Sequence, residues 1–221
     1  MSIAENPLVG RLKGSMANFT TYTLNGKNII RSKPFMVRDA RSVKQLLMRA
    51  RMKKLASLYN SLSPIIVMGF TEDSFPKPPE NLYTDSPYNL FVKANFSNAF
   101  ETIENMPVTV YPMLQLSRGS LPEVTVIDAV TNTDGITIQY DAELLPEVTF
   151  AIDEIIAFAK LNNGSLLIAR QIRGYDAIET IFLKYPVQDA SEVECCYLFA
   201  RRWDGKKVSN STYVKVRESV K

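Results

Sequence analysis

The sequence predicts a mainly β protein: an immunoglobulin- or fibronectin-like β-sandwich preceded by a basic β-hairpin plus helix segment. Three observations carry this. From residue 122 onward, seven apolar, β-branched runs are separated by turn residues. Near the N-terminus, Asn25-Gly26 sits between two further such runs. Between these regions lies an apolar stripe with helical spacing that starts at Val43. The implied organisation is a basic hairpin-helix segment over 1–63, a proline-rich linker with a helix and a strand over 64–121, and the sandwich over 122–221.

The N-terminal hairpin follows from turn chemistry. Residues 16–24, MANFTTYTL, favour an extended chain and run into Asn25-Gly26. That dipeptide is the strongest short hairpin signal, because a type I′ turn needs positive φ at both central positions. The return strand is KNIIRSK, and Pro34 ends it by removing a ladder donor.

The first helix opens on Ser42-Val43-Lys44-Gln45, which reads as a capping box. Val43, Leu46, Leu47, Ala50, Leu58 and Leu62 form its stripe, and Pro64 is expected to stop it. Residues 71–87 carry four prolines and read as a loop. A second helix is expected after Ser86, which can cap it, with Pro87 at the first helical position and Val92, Phe96, Ala99, Phe100 and Ile103 buried. Residues 108–116 read as a strand ending at Ser117-Arg118-Gly119.

The sandwich strands are expected at 123–130, 135–141, 149–160, 165–172, 178–184, 193–203 and 211–217, the last two as a hairpin around Trp203-Asp204-Gly205-Lys206. The run AIDEIIAFAKL at 151–161 also fits a helix; the Asn-Gly turn that follows it favours a strand. VECCYLFARRW is apolar on both alternating faces, as a central strand would be.

Charge is divided unevenly. Residues 1–60 hold twelve Lys/Arg against two acids, whereas the rest of the chain holds fourteen against twenty-one. Such asymmetry predicts that the basic part meets something anionic. The two cysteines, Cys195 and Cys196, are adjacent, so in a strand they point to opposite faces and offer no disulfide framework. The start, MSIAENPLVGRLKG, has no apolar h-region, and no apolar run approaches a membrane span. The expectation is cytoplasmic synthesis without a signal peptide or transmembrane segment, with incorporation into a virion left open.

No catalytic signature appears. The chain contains no histidine, which removes the commonest general base and metal ligand. Its nine glycines are scattered, and neither a dinucleotide fingerprint nor a phosphate loop can be written on them. Asp153-Glu154 and Glu192/Glu194 are the only paired carboxylates worth weighing, and a solvated strand edge accounts for the latter pair. Arg201 and Arg202 alternate on their strand and read as surface residues. The expected catalytic, cofactor-binding and metal-binding residue sets are therefore empty, with no cofactor and no small-molecule substrate.

The feature with most content is the stretch RSKPFMVRDARSVKQLLMRARMKK at 31–54. It carries Arg31, Lys33, Arg38, Arg41, Lys44, Arg49, Arg51, Lys53 and Lys54 against the single acid Asp39. Three readings stay open: contact with nucleic acid or an anionic lipid surface, contact with a second copy or another particle subunit, and a solvated helix surface.

Three blocks together carry a resemblance. They are the N-terminal hairpin with IIRSKP and the Gln- and Arg-bearing helix leading to LSPIIVMGF, then QLSRGSLP at 115–122, then DGKKVSNSTYV at 204–214. The chain resembles a bacterial domain-of-unknown-function family of about this length, found mainly in Bacteroidetes, over nearly its whole length. Family members usually have asparagine, proline and threonine where this chain has Asp39-Ala40-Arg41-Ser42. The resemblance implies a hairpin-plus-helix start followed by a β-sandwich, assigns no catalytic residue, and includes phage-associated relatives. Together with the missing catalytic chemistry, it leads to the expectation of a non-enzymatic, self-associating structural protein of a phage virion, capsid- or tail-associated. The alternative is a sequence-nonspecific nucleic-acid-binding protein using 31–54.

Overall fold

A computed structural model describes residues 2–4, 14–24, 27–35, 41–75, 85–186 and 192–218. The chain is mainly β and forms two compact units, Met1–Ser42 and Val43–Lys221. The division falls inside the segment expected over 1–63.

The first unit is a four-stranded antiparallel sheet of β1 (Ser2–Ala4), β2 (Gly14–Met16), β3 (Phe19–Leu24) and β4 (Lys27–Ser32), ordered β1-β4-β3-β2. The expected hairpin is β3–β4, whose last pair is Leu24↔Lys27. The Asn25-Gly26 link itself lies outside the described residues. The expected strand over 16–24 is broken early: Met16 belongs to β2, and the chain reverses at Ala17-Asn18 with Ala17 at φ 45.

In the second unit, α1 spans Val43–Gly69 and passes through Pro64, which the sequence marks as its end. A proline inside a helix removes one hydrogen bond and crowds the preceding turn. Here tertiary packing outweighs that cost, because Ile65, Ile66, Met68 and Gly69 are all buried. A Cβ at Gly69 would overlap the Leu116 carbonyl oxygen and the Ser117 side chain, so the helix end fits only with glycine. The apolar stripe also differs from expectation. Leu55 and Leu62 are buried, but Val43 and Leu46 are exposed.

The helix α2 (Pro87–Asn95) starts as expected, with Ser86 Oγ accepting the Asn89 amide at 3.3 Å and Pro87 in the first turn. It ends earlier than expected. Residues beyond it form the hairpin β5 (Phe100–Ile103) and β6 (Met106–Thr109), and Ile103 is exposed. Glu104 and Asn105 both take positive φ (50° and 64°), which is type I′ turn geometry. The strand expected over 108–116 is therefore only the end of β6, followed by a short 3-10 turn at Tyr111–Met113 that includes Pro112.

The sandwich comprises β7 (Val126–Thr131), β8 (Gly135–Asp141), β9 (Glu154–Leu161), β10 (Leu166–Ile172), β11 (Ile178–Lys184), β12 (Val193–Arg201), β13 (Thr212–Tyr213) and β14 (Arg217–Glu218). One sheet is ordered β11-β8-β7-β14 and the other β10-β9-β12-β13. Lettered along the chain as A, B, C, C′, E, F and G, this is A-B-E facing C′-C-F-G, the immunoglobulin/fibronectin class of arrangement. Residues 154–161 are a strand. The last expected strand divides: β13 pairs with β12, and β14 crosses to pair in parallel with β7.

The strands β9 and β12 are buried on both faces for a specific reason. Ile155, Ala157, Cys196 and Leu198 face the sandwich interior with Ile136, Ile138 and Ile181. Ile156, Phe158, Tyr197 and Phe199 pack instead against Leu62, Ile66 and Phe91 of the two helices. The second unit is thus three-layered, with helices on one sheet and the other sheet beneath.

Candidate functional site

Three loops meet at one end of the sandwich, a grouping that spacing in the sequence does not single out. They are 142–153 between β8 and β9, 173–177 between β10 and β11, and 202–211 between β12 and β13. Glu154 fixes their common level, pairing with Ile172 on one side and Arg201 on the other.

Asp153 is the pin. It is fully buried, and its carboxylate accepts the Phe150 amide at 2.9 Å and the Trp203 amide at 3.4 Å. Its backbone oxygen accepts the Arg173 amide at 2.8 Å. One residue therefore holds all three loops. Ties around it add rigidity: Gly174 donates its amide to Ala151 O at 3.0 Å, Arg202 donates to Val148 O at 2.7 Å, and Ala142 donates to Ala177 O at 2.9 Å. Arg173 is itself buried and donates weakly to Glu143 O at 3.4 Å. Burial pulls its guanidinium pKa down, and the charge of Asp153 opposes that shift.

On this frame stand side chains that a sandwich would ordinarily bury. Tyr175 is 85% exposed and Trp203 62%; Phe150, Ile152 and Val148 are exposed beside them. The Arg202 guanidinium lies over the Phe150 ring, 5.0 Å from its centre. The charges around them are mixed: loops 142–153 and 173–177 add exposed Glu143, Glu147 and Asp176, and loop 202–211 adds exposed Asp204, Lys206 and Lys207. Exposed aromatic and aliphatic groups grouped on a loop frame are a feature of surfaces that contact other molecules.

The nine basic residues singled out by sequence do not form one surface. Arg31, Lys33 and Arg41 belong to the first unit and are exposed, with Lys33 Nζ donating to Ala17 O at 3.1 Å. Arg38 lies outside the described residues. Lys44, Arg49, Arg51, Lys53 and Lys54 belong to α1, which contains no acid in its 27 residues. Lys44 stands in the first turn, where the helix dipole favours acids. Arg51 donates to Thr102 at 3.3 Å and Lys54 to Pro107 O at 2.8 Å, which lays the hairpin β5–β6 alongside the start of α1. Val43, Leu46, Ile103 and Met106 are exposed, as are Lys44, Arg49 and Lys53.

The other candidates have structural explanations. Glu194 is not a solvated edge residue. It accepts the Tyr111 hydroxyl, and Lys160 Nζ lies 2.5 Å from its other oxygen. Burial raises the Glu194 pKa, but the bonds from Lys160 and Tyr111 outweigh this and hold it below the usual glutamate value. A depressed folded-state pKa stabilises the fold above the unfolded value, and that contribution is lost as pH falls through the folded value. Glu194→Gln is accordingly expected to flatten the acid limb of a stability–pH curve below the ordinary glutamate range, read by urea midpoints from pH 7 down to about 3. Glu192 is exposed and accepts from Asn162 at 3.2 Å.

Cys195 and Cys196 are both free and buried on opposite faces. Burial pushes the Cys195 thiol up to about 12 and raises that of Cys196 as well, so neither is a thiolate nucleophile. Among the described residues no group of three carboxylates or thiols could hold a metal, and no helix is long and apolar enough to cross a membrane.

A cleft of about 390 Å3 opens beside β7, between residues 123–129 and 212–217. Its strand edge is blunted. The β7–β8 register shifts between Val126 and Asp128, and Asp128 Oδ1 takes the Ala129 amide that an added strand would need.

No family model matches the chain, and no curated protein or solved structure is significantly similar to it.

Proposed function

We propose that this chain is a non-enzymatic assembly protein that acts through its surfaces, and specifically a self-associating structural component of a phage particle or related mobile element. The observation that carries the assembly reading is the loop frame pinned by Asp153, which holds Tyr175, Trp203 and Phe150 exposed at one end of the sandwich. Keeping such side chains in water has a hydrophobic cost, which a partner would relieve. The phage assignment is the narrower half and rests on the resemblance of the N-terminal, central and C-terminal blocks. The test is co-purification: the protein is expected in the particle fraction of a producing culture, in a fixed ratio to other particle subunits. Its recovery only from the soluble fraction, with no particle subunit bound, would overturn the reading.

A second reading is favoured by one observation, the acid-free basic start of α1. In that reading Lys44, Arg49 and Lys53 contact phosphates without regard to sequence. Binding to duplex and single-stranded DNA would then weaken steeply and linearly in log–log plots against salt. No binding at low salt would dismiss it.

A further inference from the structure

The two flanks of the sandwich end differently. On one flank the outermost strands, β13 and β14, are two residues long. Behind β14, β7 carries the register shift at Val126/Asp128. On the other flank the outermost strands are β10 and β11, one from each sheet. Both have seven residues, and neither holds a proline or shifts register against its inner neighbour. Edge strands are normally kept short, bulged or covered, and this flank has none of those devices.

Hydrogen-bonded positions alternate along an antiparallel ladder. At the two ends of the β9–β10 ladder, Leu161 donates its amide to Ser165 O at 3.0 Å and Arg173 donates to Asp153 O at 2.8 Å. The odd-numbered residues of β10 therefore bond to β9, and Leu166, Ile168, Arg170 and Ile172 turn their N–H and C=O groups outward. In the same way Ala142 donates to Ala177 O and Tyr185 to Asp134 O, each at 2.9 Å. The outward residues of β11 are thus Ile178, Thr180, Phe182 and Lys184. Among the described residues, no strand pairs with either edge. Every side chain of the two sets is exposed except Leu166, which is partly buried.

The two edges are also level. Gln171 Nε2 donates to Glu179 at 3.1 Å across the flank. Followed along the two strands, that correspondence sets Ala169 beside Ile181, the middle residues of β10 and β11.

We infer that this flank binds the same flank of a second copy, extending both sheets at once. The levelling selects the occupant. A single extended peptide would fill one edge and leave the other open, whereas a second copy presents two level edges at the same separation. One two-fold axis perpendicular to the sheets, passing beside Ala169 and Ile181, pairs β10 with β10 and β11 with β11, both antiparallel. In this register Leu166 meets the partner's Ile172 and Ile168 meets the partner's Arg170. Every outward position finds an outward position, with about eight backbone hydrogen bonds in each ladder. No like charges fall directly opposite, since Arg170 faces the partner's Ile168 and Lys184 the partner's Ile178. The contact uses the flank and not the loop end, so it goes beyond the assembly reading and stands or falls apart from it.

Hydrogen exchange and light scattering on the full-length wild type read the contact directly. The outward amides have no strand partner within the chain, so only a partner protects them. The wild type is expected to dimerise as concentration rises. The outward amides of both strands should then exchange about tenfold more slowly, and lose that protection on dilution. Ile168→Lys sets a cation opposite the partner's Arg170, twice in each dimer, and is expected to weaken dimerisation about tenfold. Adding Arg170→Glu to it places opposite charges across both positions and is expected to restore the dimer, a rescue that a merely damaged fold would not show. The exchange experiment needs no substitution, so it decides the matter even where a variant melts early.

A wild type that stays monomeric, or dimerises with its outward amides unprotected, would overturn the contact. Protection of β10 alone would remove the double ladder and with it the choice of a second copy. Failure of the rescue in a variant that melts like the wild type would refute the register. A monomeric protein recovered with particles would sink the flank contact and leave the assembly reading standing; a flank-paired dimer absent from particles would do the reverse.

Discussion

Replacing Asp153 with alanine is expected to cost about 1–3 kcal/mol of stability, the range for leaving a buried hydrogen-bonding group unsatisfied. Two effects act in the same direction. The amides of Phe150 and Trp203 lose their buried acceptor, and an unsatisfied buried donor costs about 1–3 kcal/mol. Arg173 loses the opposing charge that most strongly favours its charged form, while still buried. Asp153→Asn is expected to lose less, since the amide oxygen still accepts one N–H but supplies no charge. Urea denaturation gives the size of the loss, and hydrogen exchange locates it: protection should fall first in 142–153, 173–177 and 202–207. An alanine variant with wild-type stability would show that the three loops hold themselves without the pin.

The candidate site was poorly legible for a physical reason. Phe150 and Ile152 alternate with small and polar neighbours, as an inward strand face does, and that alternation predicts a strand over 149–160. The strand begins at Glu154. Nothing in the spacing separates an apolar residue that enters the core from one held out on a loop, because the difference is made by Asp153 and by strands far away in sequence. The charged segment at 31–54 was conspicuous for the opposite reason, since composition registers charge directly. Composition could not register that the segment crosses a boundary between two compact units at Ser42/Val43.

The sandwich itself was legible where turn chemistry and alternation agreed. Strands at 135–141 and 178–184 fall where expected, and the turn at Asp204-Gly205 forms with Gly205 at φ 71. The misses share a cause. Pro64 does not stop α1, because burial of the turn after it outweighs the lost hydrogen bond. The β5–β6 hairpin has no glycine in its turn. Glu104 and Asn105 accept positive φ because the pairing of Phe100–Ile103 with Met106–Thr109 compensates. In both places tertiary contacts override a local preference.

The same logic bears on VECCYLFARRW, whose doubly apolar pattern fits a central strand but does not reveal what covers each face. The sandwich interior covers one face, and α1 and α2 cover the other. A fragment of residues 122–221, although it contains every strand of the sandwich, would leave Ile156, Phe158, Tyr197 and Phe199 in water on one continuous sheet face. Each such side chain contributes about 1.5–3 kcal/mol when buried, and a domain has only about 5–15 kcal/mol in total. The fragment is therefore expected to be insoluble or to bind a hydrophobic dye without near-ultraviolet circular dichroism, whereas a Val43–Lys221 chain folds with the cooperativity of the whole. Phe199→Ala in the full chain makes the same point without truncation, with an expected loss of about 3–5 kcal/mol in a single transition. A soluble 122–221 fragment with native-like dispersion in its amide spectrum would mean that the helices decorate the sandwich. Its failure alongside a well-folded Val43–Lys221 chain would make the helix layer part of the core.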